Sequence, residues 1–199
     1  IYNKTFFGGL SNSLQMNANL KHVMAFFTSY TDFKNPFITN YEKRNESTIG
    51  LRTFLEYAKS EKKLAYHFQL GLESLRTKTN IKNFKNDKGI AGSLTADDNL
   101  SANQNFAFLR LNFDVNERLL LELGSSLNFY GYDYQSYFPL IVATKEKTFK
   151  TSLMPKIALS YLIHPNFTIR ASASKGYSAP TLAEVRSSDQ IINTNLQAE

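Results

Sequence analysis

Residue types able to do chemistry are sparse in this chain and badly spaced for it. The three histidines, His22, His67 and His164, are far apart and fall on different segments, so no metal-ligand spacing exists among them. Cysteine is absent. That removes thiolate nucleophiles, disulfides and Cys-ligated zinc or iron–sulfur centres. Asp97, Asp98 and Asn99, beside Ser101 and Asn103, offer oxygens that suit a hard cation, but the central Gly and closing Glu of a calcium loop are missing. No Gly-rich phosphate loop, Gly-x-Ser-x-Gly elbow or His-Glu-x-x-His helix occurs. The expectation is a protein with no catalytic residues, resident cofactor or metal, and not an enzyme.

Two other groups of side chains invite a binding role. Tyr132, Tyr134 and Tyr137, interleaved with Asp133 and Gln135, could stack on a flat ligand and are the weak ligand-binding candidates. Charges of both signs form the second group: Glu56, Glu73, Asp114 and Glu122 against Arg52, Arg110, Lys156 and Arg170. The basic excess of +6 is spread over a turn at Lys59, Lys62 and Lys63 and two polar stretches at Lys78 to Lys88 and Lys145 to Lys150. Such stretches can attract anionic ligands or anionic surface lipid, including lipopolysaccharide. They never interleave with aromatics in a continuous strip, so nucleic acid is not an expected partner.

The elements carrying these residues alternate apolar and polar side chains with a period of two. Leu64, Tyr66, Phe68, Leu70 and Leu72 share one face, with Ala65, His67, Gln69 and Gly71 opposite. Leu119 to Phe129 and Phe167 to Ser174 repeat the pattern. Weaker candidates run from Thr5 to Met16, Leu20 to Phe33, Thr48 to Tyr57, Gln104 to Val115 and Phe149 to Tyr161. The count is about eight strands, most of roughly 10 to 14 residues, longer than soluble strands and long enough to cross a bilayer at a tilt. Charges on the polar faces would be costly against lipid, so Arg52, Glu73, Arg110, Glu122, Lys156 and Arg170 are expected to face the lumen of a barrel.

Connections alternate in length. Short turns are expected at Asn17 to Asn19, Ala58 to Lys63, Asn116 to Arg118 and Leu162 to Asn166, and long polar loops at Lys34 to Ser47, Lys78 to Asn103 and Asp133 to Thr148. This asymmetry describes an outer-membrane barrel with periplasmic turns and external loops. Phe and Tyr number 16 and 11, and only 20% of residues are charged, a balance that suits such a wall. Tyr30, Phe33, Tyr57, Tyr66, Phe129, Tyr130, Tyr132, Tyr161 and Tyr177 fall near strand ends, as interfacial rings do. Two alternatives stay open: a complete small porin or adhesion barrel, and a soluble carbohydrate-binding sandwich.

The last segment departs from alternation. It reads Ser174, Lys175, Gly176, Tyr177, Ser178, Ala179, Pro180, Thr181, Leu182, Ala183, Glu184 and Val185, then Asn193, Thr194, Asn195, Leu196, Gln197, Ala198 and Glu199. This resembles the TonB-dependent outer-membrane receptors, whose barrel strand ends in Ser, Lys or Arg, Gly and an aromatic before an Ala-Pro, a Leu-x-Glu helical stretch and an Asn-Pro-x-Leu-x-Pro-Glu segment. Pro155 to Tyr161 resembles the strand that precedes it. The motif positions matched are Gly176, Tyr177, Ala179, Pro180, Leu182, Glu184, Asn195, Leu196 and Glu199. Ala173, Ser178, Thr194 and Ala198 depart from the common pattern. Pro180 is expected to open a short helix from Thr181 to Val185.

The resemblance implies a mainly β fold, a transmembrane antiparallel barrel of 22 strands closed around a plug domain. Of this the chain would supply about eight strands, without the plug or the closing strands. It further implies a Gram-negative outer membrane, a partnership with the TonB energy-coupling complex, and active uptake of a scarce nutrient. A ferric siderophore is the first expectation for that cargo, with haem, cobalamin or a glycan behind it.

Overall fold

A computed structural model describes residues 1–187 and 190–198. The strands are β1 (Tyr2–Gln15), β2 (Leu20–Pro36), β3 (Tyr41–Glu61), β4 (Leu64–Asp87), β5 (Ile90–Val115), β6 (Leu119–Phe138), β7 (Val142–Thr148), β8 (Ser152–His164) and β9 (Phe167–Ser174), followed by one helical turn, α1 (Leu182–Val185). All described strands belong to one antiparallel sheet in the order β1-β2-β3-β4-β5-β6-β8-β9, with β7 paired to β6. β7 takes the upper part of β6, from Gly131 to Ser136, and β8 the lower part, from Leu119 to Asn128. The two therefore occupy one strand position, interrupted at residues 149–151. The eight positions on the main path match the expected count, and the additional strand, β7, lies within the expected loop Asp133 to Thr148.

Alternation explains the two faces. One carries Phe6, Leu10, Met24, Phe26, Leu51, Leu70, Leu72, Leu109, Phe129, Leu153, Ile157 and Ile169, all exposed. An apolar surface this extensive on one face requires an apolar surrounding. The other face carries Arg52, Glu73, Arg110, Glu122, Lys156 and Arg170 together with small residues. Two glycines on it admit aromatic rings: a Cβ at Gly50 would meet the Phe27 ring at 2.1 Å, and one at Gly71 would meet Phe54 Cβ at 2.5 Å and the Phe108 ring at 2.6 Å. Phe54 and Phe108 thereby approach each other over Gly71, with ring centroids 6.2 Å apart.

The long loops expected at Lys34 to Ser47 and Lys78 to Asn103 are instead the continuation of the strands. β2 and β3 remain paired up to Pro36 and Tyr41, and β4 and β5 up to Asp87 and Ile90. β4 closes through Lys88 and Gly89, both with positive φ, a two-residue turn that follows the twist of its strands. A polar outward face and an inward face of mixed character hid these extensions, because pairing outside an apolar layer needs no apolar alternation. At the opposite end the short turns fall where expected, and Asn116 and Glu117 form another positive-φ pair.

A two-sheet sandwich is overturned by the single sheet. A small closed barrel is equally unsupported, since β1 and β9 are the two ends of the strand order and do not pair among the described residues. The buried core is small and lies at one end of the polar face, where residues 177–187 and 190–198 fold back over Ile81, Leu100, Ala102, Tyr130, Tyr132 and Tyr134.

Candidate functional site

The polar face has two parts. Nearer the short turns, strand register brings opposite charges together. Lys21 Nζ lies 2.7 Å from Glu56, Gln69 Nε2 donates to Glu56 at 2.9 Å, and His67 Nε2 stands 3.3 Å from the same carboxylate. Arg52 pairs with the buried Glu73. Glu122 takes both Arg110 at 3.1 Å and Lys156 at 2.8 Å. Arg170 lies on this face opposite Ser160 and borders an open groove of about 880 Å³ with His67, Asn112, Asp114 and Glu122. All six residues expected to face a lumen thus share one side of the sheet. Arg52 with Glu73, and Arg110 and Lys156 with Glu122, neutralise one another within the sheet.

Away from the short turns, the same face is covered by the terminal segment. Thr181 caps α1: its hydroxyl accepts from the Glu184 backbone N–H at 3.3 Å, and Glu184 Oε2 accepts the Thr181 backbone N–H at 2.7 Å. The Thr181 backbone N–H, with the Thr181 hydroxyl donating to the same oxygen at 2.9 Å, holds the Glu184 carboxyl below its usual pKa range. Pro180 therefore precedes the cap, one position earlier than expected. Its carbonyl accepts the Tyr130 hydroxyl at 2.6 Å. Leu182 and Val185 enter the core, Ala179 and Leu196 pack against it, and Lys147 donates to the carbonyls of Thr194 and Leu196 at 2.6 Å.

Beyond α1, Arg186 is fully buried. Its Nε donates to Asp98 at 2.6 Å and its Nη2 to Asn83 at 2.8 Å. Ser136 donates to the other Asp98 oxygen at 2.6 Å, and Asn83 donates to Asn40 at 3.1 Å. Sequence reasoning missed this cluster. Its one signal was an aspartate at a position where the alternation of β5 points inward.

Several expected site residues are dispersed. Tyr132 and Tyr134 are 2% and 8% exposed, buried among Phe149, Leu182 and Val185, so they are packing residues and not a stacking surface. Tyr137 is exposed on the opposite face and donates to Gln135. The girdle expectation fails for Tyr130 and Tyr132, which point inward, whereas Tyr57, Tyr66 and Phe68 stack outward near the short turns. Asp97 and Asn99 face away from Asp98 because they alternate along β5, and both accept from Asn80. No group of metal-ligand type gathers among the described residues. Gly176 is exposed beyond β9 with open space around it, and the Asn195 backbone N–H donates to Asn193. Glu199 lies outside the described residues.

A single antiparallel sheet of very long strands, apolar on one side and carrying paired charges on the other, defines a β-barrel-type wall. Residues 2–199 match the family model described as TonB dependent receptor-like, beta-barrel, and the chain belongs to that family. No curated protein matches it by sequence. Among solved structures it is similar to the ferric citrate transporter FecA in unliganded form, with a TM-score of 0.74 at 11% identity, covering 86% of this chain and 27% of that one. The siderophore receptor PiuA from Acinetobacter baumannii gives 0.70 at 13% identity, over 97% of this chain and 35% of that one. The ferric yersiniabactin uptake receptor FyuA from Yersinia pestis gives 0.64 at 12%, over 88% and 28%. These are likenesses of fold, and the chain spans about a third or less of those structures.

Proposed function

We propose that this chain is part of the wall of a plugged, 22-stranded barrel in the outer membrane of a Gram-negative cell. The whole protein would import a scarce nutrient with energy supplied through TonB. The single observation that carries the reading is the two-faced sheet of a chain in this family: exposed Leu70, Leu72, Leu109 and Ile157 on one side, Arg52–Glu73 and Arg110–Glu122–Lys156 on the other. The apolar side suits lipid, and the charged side suits a plug or water. The short turns would face the periplasm and the tall strand ends the exterior.

A ferric siderophore, or another iron complex such as haem, is the first candidate cargo, because solved structures of similar fold are described as ferric citrate, siderophore and ferric yersiniabactin proteins. The reading assigns the chain no catalytic step. Its partners would be outer-membrane lipid, the plug of the same protein and the TonB complex. The test is uptake of labelled ferric siderophores and haem by cells lacking the gene. Loss of one substrate's uptake, reproduced by loss of TonB, supports the proposal; unchanged uptake of every iron complex sinks the assignment of cargo.

A further inference from the structure

At the end far from the short turns, β5 outlasts one of its two neighbours. Its last pair with β6 is Asp97 with Phe138, whereas its ladder with β4 continues to Ile90 and Asp87. Residues 90–96 therefore have a partner strand on the β4 side and none on the other among the described residues. At ~3.3 Å per residue this free edge is about 23 Å long. In an antiparallel ladder alternate residues turn both N–H and C=O to the same side, so about half of these residues present a complete donor and acceptor pair along it.

Exposed edges are ordinarily blunted by charge or covered. The matching stretch of β4 is both: Lys85, Asp87 and Lys88 carry charge, and Asn86 Nδ2 donates to the Phe37 carbonyl of the neighbouring hairpin at 2.6 Å. β7, paired only with β6, carries Lys145, Glu146 and Lys147. Residues 90–96 read Ile-Ala-Gly-Ser-Leu-Thr-Ala, with neither charge nor proline. Thr95 is the extra residue between the Asn83–Ala96 and Phe84–Leu94 pairs, and its hydroxyl is shielded from solvent without a partner. Because Asp97 pairs with Phe138, the turn of residues 139–141 lies at the lower end of this edge. Leu140 and Ile141 are 75% and 81% exposed there, and Ile90 at the upper end is 72% exposed. Asp87, the partner of Ile90, lies about 50 Å along β4 from Leu72, so an apolar layer that covers Leu72 does not reach Ile90.

We propose that residues 90–96, with Leu140 and Ile141 at their foot, bind an extended segment of a separate protein, which joins the sheet as an antiparallel strand beside β5. The open position continues the β5–β6 ladder, which fixes the direction of the occupant as that of β6 and its length at about seven residues. Main-chain hydrogen bonds supply the affinity. The uncharged edge, with apolar side chains at both ends, selects a segment that is itself apolar and uncharged at its centre. This interaction surface is additional to the transport reading and does not depend on the cargo.

The test uses the full-length protein carrying this chain, purified from membranes in a zwitterionic detergent. Two fluorescent peptides of alternating valine and threonine are titrated, identical except that one is N-methylated at four successive central amides. Methylation keeps the side chains and removes two donors that face β5, which accounts for roughly 30-fold in affinity. The expected result is saturable binding of the plain peptide, that loss for the methylated one, and a comparable loss in Ser93→Lys, which puts a charge on the edge. Asp87→Asn, on the β4 side of the hairpin, binds as wild type does, and circular dichroism is the same for all three proteins. Hydrogen exchange across 90–96 slows when the plain peptide is added. Equal binding of both peptides, or of neither, overturns the site. Slow exchange across 90–96 in the protein alone means that another part of the same protein holds the edge, and overturns the separate partner. A dimer in sedimentation that Ser93→Lys dissociates overturns it in favour of a second copy.

Discussion

Arg186 Nε and Asp98 Oδ2 meet at 2.6 Å across 88 positions of sequence, with the arginine side chain wholly shielded and the aspartate 5% exposed. Asn83 and Ser136 complete the hydrogen bonding of this pair. The contact ties the segment after β9 to the inward face of β5 at the end far from the short turns. Removing one partner leaves a buried, uncompensated charge. Asp98→Ala is expected to weaken docking of residues 177–187 and 190–198 by about 3–5 kcal/mol. Asp98→Leu combined with Arg186→Met should cost less than either single change. Hydrogen exchange across 177–187 and 190–198 in the full-length protein reads the difference, and equal protection in all variants would contradict the role.

The Thr181 and Glu184 cap acts on the same segment through a separate set of bonds. Thr181→Ala should raise local opening at the Val185 amide, by about 1 kcal/mol. The pH dependence has a definite sign. Because the folded carboxyl of Glu184 is depressed, its contribution is fully present above the ordinary glutamate value of 4.5 and is lost as pH falls through the lower folded value. Amide exchange of α1, corrected for its intrinsic rate, should accelerate on acidification in the wild type and much less in Glu184→Gln.

Gly71 and Gly176 separate a packing glycine from a freely placed one. A methyl group at Gly71 collides with Phe54 and Phe108, whereas one at Gly176 meets nothing within 4 Å. Gly71→Ala is expected to destabilise the sheet by about 1–3 kcal/mol, and Gly176→Ala to be close to neutral. Urea unfolding of the folded full-length protein in lipid vesicles measures both.

Leu70 tests the apolar face directly. It lies between Leu55 and Leu109 in the ladder and is 61% exposed. Leu70→Arg should destabilise the inserted protein by about 2–4 kcal/mol, while Gln69→Arg on the inward face should cost clearly less. Equal effects at the two positions would argue against lipid on the Leu70 side.

Position along the strand decided which parts were legible in the sequence. In Leu64 to Leu72 and Leu119 to Phe129, apolar alternation marks strand and face together, because one side must avoid water. Above that layer the outward face turns polar, as in Lys78, Asn80 and Lys82, while the inward face mixes Thr79 and Asn83 with Ile81. Alternation then carries no hydrophobic signal, and strands read as loops. At β4, 24 residues long, much of the strand lies beyond any bilayer-sized band.

The charges Arg52, Glu73, Arg110, Glu122, Lys156 and Arg170 could be assigned to one face from parity alone, because side chains in a strand point to alternate sides. Which of them meet depended on register between strands, set by pairing and turn geometry, which no single segment encodes. The same holds more strongly for Arg186, Asp98 and Asn83. Their meeting required β4 and β5 to extend past the apolar layer and the terminal segment to fold back over the sheet. By itself, the sequence determined the sheet, its two faces and the motif after β9. Only the tertiary structure decided that Tyr132 and Tyr134 are core, and that Arg186 binds Asp98, because burial is a property of what packs across the face.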